Sequence, residues 1–243
     1  MKSITSVLVL ACFFLASCGE ITQAQRDAQA NRLVAQLTAP APSVDGTAIM
    51  LVIDTSGSMD SHVKNASGAD EIKLNIAKRC ATQFVDKIKK FGEEHPDKKI
   101  SLGICAFSSS TFIVVEPKLL SEPTEYYERI NKLRSGGGTA IGDAMVFAKQ
   151  KLDATGLSQK HILVITDGEN GNGEDPAAVV AALAKVPADR AAATYLIGFD
   201  VGANTFNTVK DAGSLVLSAN NEAELLNTTN FVLGTKILVE KPE

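Results

Sequence analysis

The chain contains no tryptophan among its 243 residues, and aromatic side chains make up only 5% of it. Such scarcity argues against a stacking platform for bases or sugars. No basic block occurs anywhere and the formal net charge is −4, so nucleic acid is a poor first candidate for a partner. The three histidines, His62, His95 and His161, are scattered, and no nucleophile–base pair can be read from them. A glycine run at 136–138 leads to Thr139 without the Gly-Lys-Ser/Thr that a phosphate-binding loop requires. The acidic, glycine-containing stretch 169–175 lacks EF-hand spacing and reads as a flexible rim. The apolar stretch 7–15 is too short to span a bilayer comfortably.

What is present is a chain that is 45% hydrophobic, enough for one substantial core. Residues 49–53, Ile-Met-Leu-Val-Ile, form a run rich in β-branched types that reads as a strand buried on both faces. The run stops at Asp54-Thr-Ser56-Gly-Ser58, which places one carboxylate and two alcohol oxygens within a single turn. These are hard oxygen ligands of the kind that Mg²⁺ prefers.

Ahead of that strand, Met1 and Lys2 give a short positive start, and the apolar stretch closes with Leu15-Ala-Ser-Cys18. This resembles a bacterial lipoprotein cleavage box. The resemblance implies a signal over 1–17, cleavage before Cys18, diacylglycerol on its sulfur and a place in the cell envelope. With Gly19 after the cysteine, a Gram-negative host would carry it on the outer membrane, facing the periplasm or the cell surface. Residues 18–45 then read as a tether and linker: 20–37 carries a thin apolar stripe suited to a frayed helix, and the proline-containing 38–43 should be extended.

Beyond the first strand the pattern predicts one domain over 46–234. An irregular polar loop covers 60–70, and 71–91 sets Ile72, Ile76, Cys80, Phe84 and Ile88 four apart on one face of a long helix. Strands follow at 100–107 and 112–115, the second an antiparallel edge ending at Glu116-Pro117. Helices are expected at 124–133 and 140–153, then a buried strand at 161–166 ending in Asp167. Asp175-Pro176 should cap a helix running to about Lys185. Strands at 194–198 and 214–217, a short helix at 205–211 and a closing helix at 221–233 with Gly234 as its stop complete the domain. The tail 235–243 reads as one more short strand at 236–239. Alternating strands and helices imply an α/β, doubly wound, mostly parallel sheet with helices on both faces.

In such a sheet, ligands sit outside the carboxyl ends of strands where the winding reverses. Asp54 and Asp167 both end strands, and the turn before Thr139 could bring its hydroxyl to the same crevice. The candidate metal ligands are therefore Asp54, Ser56, Ser58, Thr139 and Asp167. Singly each has a bland reading: Ser56 and Ser58 as turn residues, Thr139 as a helix cap, Asp167-Gly168 as a turn. Asp143 has one as well, an acid in the first turn of its helix.

Asp54-Thr-Ser56-Gly-Ser58, the threonine of Gly-Gly-Gly-Thr139 and Ile165-Thr-Asp167-Gly occur in the order found in von Willebrand factor A domains, and the sequence resembles that family over roughly 46–233. The resemblance implies a sheet of order 3-2-1-4-5-6 and a metal-ion-dependent adhesion site. In such a site Ser56, Ser58 and Thr139 touch Mg²⁺ or Mn²⁺ directly, while Asp54 and Asp167 act directly or through water. A partner protein's Asp or Glu would complete the octahedron. A protein-binding module without enzymatic activity is the expectation. A Mg²⁺-dependent hydrolase on the same ligands and a scaffold with a vestigial site are the alternatives, the first lacking a general base or nucleophile. Cys80 and Cys105 are expected as two buried thiols, because a helix backbone lies too far above a sheet for a disulfide.

Overall fold

The structure, a computed structural model, describes residues 21–202 and 204–239. The expected signal at 1–17, Cys18 and the last four residues lie outside that set. In chain order the elements are α1 (Gln23–Leu37), β1 (Val44–Asp54), β2 (His62–Lys64), β3 (Asp70–Ile72), α2 (Lys73–Glu94), β4 (Ile100–Phe107), β5 (Thr111–Leu119) and α3 (Thr124–Asn131). There follow α4 (Ile141–Asp153), β6 (Leu157–Thr166), α5 (Pro176–Leu183), β7 (Ala193–Phe199), α6 (Asn207–Asp211), β8 (Leu215–Ala219) and α7 (Glu222–Val232).

β1 is the central strand. It pairs in parallel with β4 on one side, Asp54 opposite Phe107, and with β6 on the other, Ile53 opposite Ile165. The six-stranded sheet runs β5-β4-β1-β6-β7-β8, with β5 antiparallel at one edge. Counting only its six strands, this is the order 3-2-1-4-5-6. Every residue of 48–54 is buried because both faces are covered. Ile49, Leu51 and Ile53 join a core with Phe84, Ile88, Tyr126 and Leu225 from α2, α3 and α7. Met50 and Val52 face the opposite core, with Met145, Leu152 and Val179 from α4 and α5. Each such side chain removed from water contributes about 1.5–3 kcal/mol. Cys80 belongs to the first core and Cys105 to the second, so the sheet itself separates the two free, buried thiols.

Several elements differ from the sequence reading. α1 is not a frayed tether. Thr22 and Gln25 close a reciprocal capping box at its start, and Ala30, Leu33 and Leu37 are fully buried against the domain. Its partner is α5, Pro-Ala-Ala-Val-Val-Ala-Ala-Leu, whose residues are buried nearly all round. A helix apolar on every side needs cover on its outer face as well as its inner one, and α1 supplies it. Polar contacts fasten the strap: Arg26 to Asp175, Arg32 to Glu174, and the buried Lys149 Nζ donating to the Leu37 carbonyl at 3.0 Å.

The 60–70 loop is more ordered than expected. It begins in a 3-10 turn, Gly57–Asp60, and closes as the antiparallel pair β2–β3. β5 continues past Pro117 to Leu119 with shifts in its pairing register, which an edge strand tolerates where a central one would not. The tail at 236–239 forms no strand. The chain continues α7 as a π-helical turn, Leu233–Ile237, passing through Gly234 because Leu233 and Ile237 are still being buried.

Candidate metal centre

The site forms where β1, β4 and β6 end together. Thr55 directs both its N–H and its hydroxyl to the Phe107 carbonyl, at 2.7 and 2.8 Å, which ties the turn after β1 to the end of β4. The glycine loop crosses the same turn: Gly136 N–H donates to Thr55 O at 2.8 Å and Gly57 N–H to Gly137 O at 3.0 Å. Ala140 N–H donates to Ser108 O at 2.9 Å, fixing the approach of Thr139. Three chain segments distant in sequence are thus laced by backbone hydrogen bonds before any side chain is considered.

Within this frame Ser56 Oγ lies 3.0 Å from Ser58 Oγ, and Ser58 Oγ donates to Asp167 Oδ1 at 2.6 Å. Asp54 is fully buried; its Oδ1 accepts from the Ser56 N–H at 2.7 Å and its Oδ2 from the Thr166 hydroxyl at 2.5 Å. Gly168 forms one wall. A methyl group placed on it would sit 3.6 Å from Ser58 Oγ and 3.8 Å from Thr139 Oγ1, so Thr139 reaches the same spot. All five expected residues therefore gather in one crevice. Asp54, Ser56 and Asp167 form a buried floor, and the rim, with Ser58 exposed and Thr139 half-buried, faces solvent.

Burial is the main cause that raises the Asp54 carboxyl above its ordinary pKa. Hydrogen bonds from Ser56 and Thr166 work the other way, and the nearby Asp167 adds to the rise. Two carboxylates and three hydroxyls make a hard, oxygen-only donor set, and it fits Mg²⁺ or Mn²⁺. Among the described residues no group of three or more His, Cys, Asp and Glu side chains is placed to hold a metal.

Thr139 and Asp143 do not fit their bland readings. α4 starts from Ala140 with no side-chain cap; Asn170 Oδ1 accepts from Ile141 N–H at 2.8 Å, so Thr139 is not the cap. Asp143 does more than favour a helix start, since its Oδ1 accepts from Glu174 N–H at 2.8 Å. The 169–175 stretch is accordingly a fastened rim: Gly171 N–H also donates to Thr139 O at 2.7 Å, and Asn172 donates to Ser109 O at 3.2 Å. His161 lies outside the site, with Nδ1 3.0 Å from the Tyr195 hydroxyl.

Two residues were missed from sequence. Thr166, the last residue of β6, holds the buried Asp54; its signal was only its place before Asp167. Lys73, in the first turn of α2, reaches Asp167 Oδ2 at 3.1 Å and Asp200 Oδ2 at 3.0 Å with a side chain only 8% exposed. Burial opposes its charge, but hydrogen bonding and charge from Asp200 and Asp167 outweigh that and hold its pKa above the ordinary value. Nothing in local spacing pointed to it.

Residues 48–230 match the family described as von Willebrand factor type A domain. An uncharacterized protein of Synechocystis sp. is 28% identical over 153 residues, which are 62% of this chain and 31% of that protein. Among solved structures, the PilB minor pilin from Streptococcus sanguinis superposes with a TM-score of 0.62 at 18% identity, over 79% of this chain and 61% of the pilin. Proximal thread matrix protein 1 from the mussel byssus, with a zinc-occupied MIDAS motif, gives a TM-score of 0.60 at 20% identity, over 81% of this chain and 47% of that one. The chain thus spans about a third of the Synechocystis relative and under two thirds of the pilin.

Proposed function

This chain belongs to the von Willebrand factor type A domain family, and from that premise we propose that it is a divalent-cation-dependent protein-binding module of the bacterial cell envelope. It has no enzymatic role in this reading, and it is held at the membrane by lipid on Cys18. One observation carries the reading: Ser56, Ser58, Asp167 and Thr139 converge at the open end of the sheet above a buried Asp54. The mussel protein, a neighbour of this fold, has a zinc-occupied MIDAS motif, which supports the reading.

In this reading Ser56, Ser58 and Thr139 would hold the ion through their hydroxyls, with Asp54 and Asp167 supplying the negative charge. Bound Mg²⁺ or Mn²⁺ supplies a Lewis-acidic position that an acidic oxygen can enter. Neutral hydroxyls would contribute little charge, so the donor set would hold a cation without satisfying it, leaving a position for a carboxylate from a partner's Asp or Glu. Thr166 and the Ser56 N–H keep Asp54 aligned, and Asn170 with Asp143 keeps the rim loop in place. Among the described residues no helix is long and apolar enough to cross a membrane. In this reading membrane attachment rests on the resemblance of Leu15 to Cys18 to a lipoprotein cleavage box.

The test is capture of envelope proteins on the immobilised protein in Mg²⁺ against chelator, with the Ser56→Ala/Ser58→Ala double variant alongside. Addition of Mg²⁺ or Mn²⁺ should also raise the melting temperature, since an ion bound only by the folded state stabilises it. A partner held equally well in chelator or by the double variant would show that recognition lies elsewhere. For the anchor, intact mass of the mature protein should show acylated Cys18; a free Cys18 thiol would refute that part.

A further inference from the structure

Lys73 does not follow from the ligand set. Its ammonium lies in the wall of a crevice that is meant to attract cations, between the buried Asp167 and the half-exposed Asp200. Both oxygens of Asp167 are engaged, Oδ1 by the Ser58 hydroxyl and Oδ2 by Lys73 Nζ. Asp200 is firmly placed: it follows β7 with φ of 56°, in the left-handed region, and its N–H donates to Ala219 O at 2.7 Å. Lys73 is placed too, by its own N–H donating to Ser61 O at 2.9 Å beside the Gly57–Asp60 turn. A buried ammonium must be paired, and here it has two partners, only one of which belongs to the ion's crevice.

We propose that Lys73 is a built-in counter-cation of this site. It neutralises Asp167 in the metal-free protein, competes with the divalent ion, and is drawn partly aside by Asp200, so that the pair sets how tightly the ion is held. The proposal rests on reading the crevice as an ion site. A lysine 3.1 Å from Asp167 offsets the repulsion between the two carboxylates of the crevice. Its role differs from that of a residue that merely orients Asp167. An orienting lysine helps the ion bind, whereas a competing one hinders it, so its removal has opposite signs in the two cases. A full positive charge removed from a partly buried site a few ångströms from a divalent ion should change affinity by about tenfold or more.

The experiment is calorimetric titration of Mn²⁺ into wild type, Lys73→Met, Lys73→Arg and Asp200→Asn, with thermal melts in chelator. Lys73→Met should bind Mn²⁺ at least about tenfold more tightly while melting lower in chelator, so that its metal-induced stabilisation grows. Lys73→Arg should stay near wild type. Asp200→Asn should bind several-fold more weakly, and that effect should shrink in the Lys73→Met background, because Asp200 acts through the ammonium. Equal or weaker binding by Lys73→Met overturns the proposal, as does an Asp200→Asn effect that is the same in both backgrounds. If Lys73→Met does not fold, unchanged affinity in Asp200→Asn overturns it alone. Absence of any Mn²⁺ binding by wild type sinks the ion-site reading, and this proposal with it; binding by wild type with unchanged Lys73→Met sinks only the role of Lys73.

Discussion

Thr166→Val removes one oxygen from the site's support and nearly no volume. The hydroxyl that it deletes donates at 2.5 Å to Oδ2 of Asp54, a carboxylate with no solvent exposure to replace the lost bond. Valine suits the end of a buried parallel strand, so propensity and packing stay close to the original. The expected loss is that of a hydrogen bond to a charged, buried acceptor, about 2 kcal/mol. For a domain of this size it lowers the melting temperature by about 4–8 °C. Urea unfolding in chelator should show a lower midpoint at an unchanged slope, the signature of a stability change without a change in the surface exposed. Thr166→Ser should recover most of it. A Thr166→Val protein within about 0.5 kcal/mol of wild type would mean that Asp54 does not depend on this hydroxyl, and the account of how the floor of the site is built would fail.

Three further outcomes are expected. His161 is buried and its pKa is pushed down from 6.5 to about 4 by burial, so the unfolded chain binds a proton across that interval and the folded one does not. Stability is therefore complete above pH 6.5 and lost as pH falls towards 4, by up to about 3 kcal/mol, and His161→Phe should flatten this slope in denaturation curves. Gly142→Ala should displace the rim, since a Cβ there would overlap the Glu174 carbonyl; circular dichroism melts should fall by several degrees and the Mn²⁺ response should weaken, and a fully wild-type Mn²⁺ response would contradict the placement of that loop. In protein beginning at Ile21, thiol reagents should label two groups only after denaturation, because burial raises Cys80 to about 11 and pushes Cys105 higher still. Finding no thiol in denatured, unreduced protein would contradict the separation of Cys80 and Cys105 by the sheet.

The parts of the fold that were readable in the sequence are those whose signal is local. The unbroken apolar run of β1, the four-residue spacing of Ile76, Cys80, Phe84 and Ile88, and Asp175 as a cap before Pro176 each state their structure within one window. The convergence of Asp54, Ser56, Ser58, Thr139 and Asp167 was readable by a different route: each lies at the end of a strand or in a turn beside one, and the winding rule brings strand ends together. Lys73 and Thr166 stayed hidden because their meaning lies in partners far along the chain: Lys73 is 94 residues from Asp167, and Thr166 is 112 from Asp54. Gly234 misled because burial of Ile237 outweighs a glycine's tendency to end a helix. The docking of α1 did leave a trace. The stripe of Ala30, Leu33 and Leu37 is thin, but α5 is apolar all round, and an outer helix with no polar face announces that something lies across it.

That strap also gives the chain a mechanical order. A pull on the backbone ahead of Thr22 reaches α1 first, where Arg26 grips Asp175 and Arg32 grips Glu174. The load thus enters the domain through the loop that follows Asp167, which carries Asn170, and through the helices that α1 packs on, α5 and α4. Only after α1 peels away does tension pass along residues 38–43 to β1, a strand hydrogen-bonded along both edges and pulled along its own axis. Bonds loaded in that direction share the strain and must give way together, whereas the side-chain grips of α1 can release one at a time. A weak clutch therefore stands ahead of a strong one, and the weak one is bolted to the rim of the candidate metal crevice.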